Sequence, residues 1–145
     1  MDNSNAQIAA EPQNNDAERV KNEVTEFVND WKKSAESRNL ADFLGKYAAR
    51  VSYFDKESAT LADVRAEAQQ IFTQFDEIEI SLSNLKIAST ADGSRATAVF
   101  DKQWLYEDQN KIEEGKTHTK LELEKDGGKW KITGERNLKV YLAEK

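Results

Sequence analysis

The sequence contains no cysteine, one histidine and one proline in 145 residues. Without cysteine the chain can form no disulfide, no zinc site built on thiolates and no thiol nucleophile. The single histidine, His118, is too little for a histidine-rich metal site. We therefore predict no metal site and no bound cofactor.

Long apolar runs and an excess of basic residues are also missing. The formal net charge is −6, and the Lys and Arg residues are scattered among Asp and Glu. Nucleic-acid binding needs a basic patch, and an anionic membrane surface repels a negatively charged chain. No stretch reaches the length of a membrane span, and polar residues follow Met1 where a signal peptide would be apolar. We predict neither nucleic-acid binding nor insertion into a membrane.

The length and the balance of residue types indicate one domain. Apolar residues make up 38% of the chain and charged residues 33%, which is enough for a single hydrophobic core at this length. Residues 1–15 are rich in Asn, Gln and Ala and show no periodicity. They indicate either a flexible leader or linker or an ordinary frayed terminus. Residues 16–145 are predicted to form the domain.

Three segments in the first half have apolar residues at helical spacing. The first follows Asp16, a candidate N-cap, and extends for about five turns. Asn39 can cap a short second helix. Thr60 and Asp63 have the spacing of a capping box and predict the start of a third helix.

The remaining segments have the period of two that is typical of strands. A short strand around residues 50–54 and a polar loop at 55–59 precede the third helix. After Asp76, apolar and polar residues alternate along four strands joined by hairpin connections. The buried parity switches near Ser83 and Asn84, which predicts a β-bulge or sharp bend there. The predicted class is α+β: three N-terminal helices packed on a bent antiparallel sheet, in the order α-α-β-α-β-β-β-β.

Three segments carry a family resemblance. They are the first two helices, FVNDWKKSAESRNLADFLGKY at 27–47, the strand VSYFD at 51–55, and the closing strand GGKWKI at 127–132 followed by Glu135. Together with the order of elements, they resemble the nuclear transport factor 2-like superfamily of SnoaL-like and ketosteroid-isomerase-like proteins. The resemblance covers nearly the whole chain from Asp16 and implies a cone-shaped fold with an open-ended pocket.

The resemblance is strongest to a bacterial branch in which this domain is appended to larger proteins outside the cytoplasm. It implies a periplasmic or otherwise extracytoplasmic location. It also implies binding of a ligand or partner more than catalysis.

Two cations share the parity of the buried residues on the long strands. Lys102 alternates with Phe100 and Trp104, and Arg136 is in phase with Ile132 on the last strand. A charge that points into an apolar concavity is costly unless something neutralises it. The alternation therefore predicts that both side chains need a partner.

The partner can be external or internal. An anionic small molecule or peptide would suit both cations, and Arg136 can bind a carboxylate or phosphate through two hydrogen bonds. Alternatively the cations pair with Asp42, Asp55 or Glu67, or extend their charged ends to the rim. Both interpretations stay open at this stage.

Three aromatic residues are further pocket candidates. Tyr53, Trp104 and Tyr106 can add stacking and hydrogen-bonding surface to the same mouth. They can equally be core aromatics at strand spacing. Trp31 and Trp130 are predicted to lie in the core, and the parity of His118 predicts an outward position.

Acidic residues are predicted on the outer side of the sheet. The carboxylates that share this outward parity are Glu79, Asp101, Glu122, Glu124 and Glu135. An isomerase of this superfamily needs carboxyl groups inside an apolar pocket. The pattern therefore disfavours catalysis, and we predict no catalytic residue.

The outward parity of the long strand also places two apolar residues, Val99 and Leu105, on a mixed face. Such faces often form dimers in the superfamily, which predicts a homodimer. Three functions follow: a non-catalytic binding or accessory domain, a small lyase or isomerase of the polyketide-cyclase type, or a dimerisation or protein-interaction module with a filled cone. The first accords best with the missing acids.

Overall fold

A computed structural model describes residues 4–144, with side chains described for residues 17–142. In chain order the elements are helices α1 (Ser4–Glu36) and α2 (Leu40–Leu44), strands β1 (Tyr47–Tyr53) and β2 (Lys56–Thr60), helix α3 (Leu61–Gln74), and strands β3 (Glu77–Ser89), β4 (Arg95–Glu107), β5 (Ile112–Asp126) and β6 (Lys129–Glu144). Helix α1 begins at Ser4, so Asp16 lies within the helix and the predicted N-cap there is wrong. The domain boundary at residue 16 stays a prediction. No helix in the described part is long and apolar enough to cross a membrane.

The strands form one mixed sheet in the order β2-β1-β6-β5-β4-β3. All neighbours are antiparallel except β1 and β6, which are parallel. The predicted α+β class is confirmed, with one strand more than expected. Strand β2 occupies the predicted polar loop at 55–59, where it turns back to pair with β1. Of its residues only Ala59 is buried, so it has no apolar alternation from which a strand could be predicted.

The helices cover the concave side of the sheet with the apolar stripes that the sequence predicts. On α1 the buried positions are Val20, Val24, Val28, Trp31 and Ala35. The cap at Asn39 and the capping box of Thr60 and Asp63 are both present. Trp31 and Trp130 are buried, as expected. The core therefore lies between these stripes and the inward residues of β3 to β6.

The predicted change of parity on β3 is confirmed. The register with β4 shifts between Ser83 and Lys86. Within this bulge Asn84 has φ 56°, a left-handed conformation that Asn tolerates better than most residues. The bulge lets residues on both sides of it face the core, and it bends the sheet around the helices.

Gly115 on β5 leaves room for an aromatic residue of the adjacent strand. It pairs with Trp104, and a Cβ at this position would overlap the indole ring. We expect Gly115→Ala to displace Trp104 and to lower the free energy of unfolding by about 1–3 kcal/mol, the usual cost of overpacking. Urea denaturation measures this change.

Gly134→Ala is a matched control for that substitution. The closest atom to a Cβ at Gly134 is a carboxylate oxygen of Glu122, an exposed side chain that can move. We expect a smaller loss than for Gly115→Ala. Equal losses would contradict the role of Gly115 in accommodating Trp104.

Candidate functional site

The concave side of the sheet and the three helices enclose a cavity of about 380 Å³. This volume is at the lower end of the range for small-molecule sites, about 300–1,000 Å³. Eight of its twenty lining residues are aromatic: Trp31, Phe43, Tyr47, Tyr53, Phe54, Phe72, Trp104 and Tyr106. The exposed lining residues Phe54, Glu67 and Asn137 mark where the cavity reaches the surface. The cavity is therefore continuous with the surface at these residues.

A buried carboxyl group, Glu135, lies in the wall of this cavity. Its residue is only 4% exposed. The hydroxyl of Tyr47 donates a hydrogen bond of 2.6 Å to Glu135 Oε1, and the indole N–H of Trp31 donates one of 3.1 Å to the same hydroxyl. This chain of donors connects α1, β1 and β6. It orients the carboxyl group while leaving part of it to face the cavity.

Burial raises the pKa of Glu135 above its ordinary value, and the nearby Lys102 and the Tyr47 hydrogen bond only partly offset this effect. Burial also raises the pKa of Tyr47, with a further contribution from the charge of Glu135. Tyr47 therefore remains a protonated donor. Glu135 can change its protonation state at a higher pH than an exposed glutamate.

Lys102, on β4, lines the same cavity as Glu135, as its inward parity predicts. Its Nζ is 5.3 Å from the ring centroid of Trp31 and 5.5 Å from that of Trp104. Among the described residues, no carboxylate oxygen lies within 4.0 Å of Lys102 Nζ. Burial lowers the pKa of Lys102, and the charges of Glu135 and Glu67 partly counteract it. The direct ion pair that the sequence offered as an alternative is therefore not formed.

Glu135 and Arg136 have exchanged the positions predicted for them. Glu135 was expected outside and is buried, whereas Arg136 was expected inside and is exposed. The register of β6 with β5 passes from Ile132 to Gly134, which skips Thr133 as a bulge. This extra residue reverses the alternation, so that the inward side after it carries Glu135 instead of Arg136.

The bulge on β6 had a signal in the sequence. Gly134 is a glycine in the interior of a strand, and such glycines often mark a bulge. The same bulge brings Asn137, which pairs with Thr119 of β5, to the cavity wall. The prediction of an inner surface without acids is wrong for this reason.

The three aromatic candidates, Tyr53, Trp104 and Tyr106, all line the cavity. The hydroxyl of Tyr53 donates a hydrogen bond of 2.5 Å to Glu67 Oε1 near the opening. Burial raises the pKa of both tyrosines, so both are donors at neutral pH. Their role in ligand binding stays a prediction.

The outer face of the sheet holds the remaining predicted positions. Val99 and Leu105 are half-buried on β4, on the parity opposite to Phe100. His118 lies on the same outer face, with Nδ1 2.9 Å from Asp101 Oδ1. The predicted homodimer interface on this outer face stays a prediction.

The raised pKa of Glu135 predicts a pH-dependent stability. The folded state holds this proton more tightly than the unfolded state, so the contribution of Glu135 is most favourable below the ordinary value of 4.5. It is lost as the pH rises from there through the folded pKa. Glu135→Gln cannot ionise, and its amide oxygen can still accept from Tyr47. We expect the stability of this variant, relative to the natural chain, to increase with pH above 4.5.

Urea denaturation at several pH values between acid and neutral measures this difference. Glu79→Gln on the exposed side of β3 is the control, since no burial penalty acts there. A stability difference for Glu135→Gln that stays constant with pH would contradict the assignment.

Comparisons with known proteins accord with this geometry. A model of the SnoaL-like domain matches residues 24–135. A comparison with curated proteins found no match. Among solved structures, the chain is similar to a Novosphingobium aromaticivorans protein assigned as a scytalone dehydratase, with a TM-score of 0.72, 14% identity, and coverage of 86% of this chain and 87% of that one.

Two further structures show the same likeness. A nuclear transport factor 2-like protein of unknown function from Pseudomonas putida has a TM-score of 0.68 and 13% identity, with coverage of 83% of this chain and 86% of that one. Bd1075 of Bdellovibrio bacteriovorus has a TM-score of 0.65 and 14% identity, with coverage of 80% of this chain and 40% of that one. At these identities the likeness shows the fold alone. Because the family match spans most of the sequence, the chain belongs to the SnoaL-like family and has the nuclear transport factor 2-like fold.

Proposed function

We propose that this domain binds a small, mainly aromatic or alicyclic molecule in the cavity and holds the polar group of that molecule between Lys102 and Glu135. One observation carries the proposal. An amine and a carboxyl group face the same aromatic-walled space without forming a direct ion pair. Buried charges are usually paired within the chain. Here a ligand can provide the missing hydrogen bonds.

The charge balance of the cavity favours an uncharged polar ligand. The earlier expectation of an anionic molecule or peptide depended on two inward cations, and Arg136 is exposed. Of those two cations, Lys102 lines the cavity together with Glu135. The other charged lining residues have partners of their own: Lys32 with Glu36, Glu113 with Lys111 and Glu67 with Tyr53. A carbonyl, phenol or enol can accept from the amine and interact with the carboxyl group without adding net charge.

Three ligands of equal ring size test the proposal: benzaldehyde, benzyl alcohol and benzoate. Trp31 and Trp104 line the cavity, so their fluorescence reports occupancy. We expect saturable binding that weakens about tenfold or more in Lys102→Met, a loss of roughly 1.4 kcal/mol. Lys125→Met is the matched control, since Lys125 also lies over a tryptophan, Trp130, but outside the cavity. Tightest binding by benzoate would favour the anionic ligand instead. Equal affinities of Lys102→Met and Lys125→Met for these ligands would contradict the proposed site.

A second candidate is acid–base catalysis by a small lyase or isomerase. It is favoured by Glu135, a buried carboxyl group with a raised pKa inside a ligand-sized cavity. Such a group can remove a proton next to a carbonyl. Hydrogen–deuterium exchange at the α-carbon of cyclohexanone, followed by NMR, tests this activity. We expect exchange with the natural chain and none above background with Glu135→Gln. Equal rates would exclude Glu135 as the base.

The sheet-face dimer and the extracytoplasmic context are also proposals. Half-buried apolar residues on β4 support the dimer, and light scattering on Val99→Lys/Leu105→Lys tests it. We expect the natural chain to be a dimer and the double variant to be a monomer. A natural chain that is also a monomer would contradict the proposed interface. The match to only 40% of Bd1075 supports the view that such a domain can be part of a larger protein.

A further inference from the structure

We infer that Lys102 is a nucleophilic amine that forms an imine with an aldehyde or ketone held in the cavity. The inference deepens the proposed small-molecule site and rests on it. It assigns a covalent role to one lysine and a chemical class, carbonyl compounds, to the ligand.

The surroundings of Lys102 differ from those of comparable lysines. Lys125 lies 5.3 Å from the Trp130 ring centroid but also has Nζ 3.2 Å from a carboxylate oxygen of Glu23. Lys32 on the cavity wall is 3.0 Å from Glu36. The amine of Lys102 has aromatic rings on two sides and no carboxylate oxygen of the described residues within 4.0 Å. Its nitrogen is therefore not held in an ion pair.

The position of the amine is set by the sheet. Lys102 lies in the middle of β4, where it pairs with Leu82 on one side and Thr117 on the other. The adjacent tryptophan rings limit the positions of the side chain. Burial disfavours the ammonium form, which increases the fraction of neutral amine that can attack a carbonyl carbon.

The reaction balances without an external oxidant or reductant. The lone pair of Nζ attacks the carbonyl carbon, a C–N bond forms, and the carbonyl π electrons move to oxygen, which takes a proton. The nitrogen gives up one proton, which yields a carbinolamine. The hydroxyl group then takes a second proton and leaves as water while the C=N bond forms, and the nitrogen of the resulting iminium gives up its remaining proton, which restores the acid. The net change is amine plus carbonyl to imine plus water.

Glu135 is the group in the cavity that can move these protons. It lines the same cavity as Lys102 and lies more than 4.0 Å from Nζ, so the two groups are not engaged in a direct ion pair. Its raised pKa allows it to donate and accept a proton at a higher pH than an exposed glutamate. Glu67 and Glu113 also line the cavity, and Glu67 is engaged by Tyr53.

Reductive trapping tests the inference. The chain is incubated with benzaldehyde and sodium cyanoborohydride, which reduces an imine to a stable benzylamine, and peptide mass spectrometry locates the benzyl group. We expect Lys102 to be labelled faster than any other lysine by about tenfold or more. Lys102→Arg keeps a cation but cannot form the imine, and it should lose this label. Lys125→Arg should retain it.

The outcomes separate this inference from the proposed site. Saturable benzaldehyde binding without preferential labelling of Lys102 would overturn the imine and leave the binding site intact. Absence of binding by benzaldehyde and benzyl alcohol would overturn both. Labelling spread evenly over the lysines of the natural chain would also overturn the imine, and this measurement does not depend on whether a variant folds.

Discussion

Replacement of Trp31 by alanine is expected to lower the free energy of unfolding by about 3–5 kcal/mol, the usual range for a large aromatic residue in a core. Trp31 is 3% exposed and joins α1 to the sheet and the cavity. Its ring centroid is 6.0 Å from that of Phe100, and its N–H donates to Tyr47. Alanine would remove the packing, the donor and one of the two rings beside Lys102. Urea denaturation measures the total loss.

Trp31→Phe separates packing from hydrogen bonding. Phenylalanine keeps an aromatic ring on the same helix face but has no N–H donor for Tyr47. We expect a smaller loss, about 1–2 kcal/mol, from the missing hydrogen bond and the smaller ring. A smaller loss of unfolding free energy for Trp31→Ala than for Trp31→Phe would contradict the expected contribution of Trp31 to core packing.

The second large effect is expected from Tyr47→Phe. The Tyr47 hydroxyl donates to Glu135 and accepts from Trp31, both of which are buried. Its removal leaves a buried carboxyl group and a buried N–H without this partner. Each unsatisfied buried group costs about 1–3 kcal/mol, and a charged one costs more. We expect a loss of about 2–4 kcal/mol in urea denaturation at neutral pH.

Tyr53→Phe is the matched control. Tyr53 is also buried and also donates a hydrogen bond to a glutamate. This glutamate, Glu67, is exposed, so water can reach its carboxyl group. We expect about 1 kcal/mol, the net value of an ordinary hydrogen bond. Equal losses of unfolding free energy for Tyr47→Phe and Tyr53→Phe would show that the burial of Glu135 does not determine the size of the loss.

Two of the bulges, one on β3 and one on β6, explain how much of the sheet could be predicted. On β3 the residues on both sides of the bulge, Leu82 and Leu85, are apolar, so the change of parity is visible in the sequence. On β6 the first two inward residues after the bulge at Thr133 are Glu135 and Asn137, and neither is apolar. The alternation of Leu138 and Val140 with Ile132 then indicates an unbroken strand. These two residues are 47% and 55% exposed, so their alternation with Ile132 does not indicate which side of the strand faces the core.

The same dependence on alternation explains why only part of the candidate site could be predicted from the sequence. Lys102, Trp104 and Tyr106 follow an unbroken strand, and their inward position could be predicted from alternation alone. Tyr47 could not, because it shares a helical face with Phe43 in the sequence but begins β1 in the structure. The contact of Tyr47 with Glu135 joins residues far apart in the chain, and only the parallel pairing of β1 with β6 brings them together.

The corrected charge balance changes the functional conclusion. An inner surface with two cations and no acid would favour an anionic ligand and disfavour catalysis. An inner surface with Lys102 and Glu135 instead favours a ligand with one uncharged polar group, and it supplies an acid–base residue. The family membership is consistent with either function and does not decide between them.

The central claim is that Glu135 and Lys102 line one cavity and that their charges influence each other there. Carbon-13 NMR titration of the Glu135 carboxyl group, in the natural chain and in Lys102→Met, tests it most directly. We expect a midpoint above the ordinary glutamate value of 4.5 in the natural chain, since burial raises the pKa of this group. The midpoint should rise further in Lys102→Met, which removes the cation that stabilises the carboxylate. A midpoint at or below 4.5 that is the same in both proteins would contradict the account.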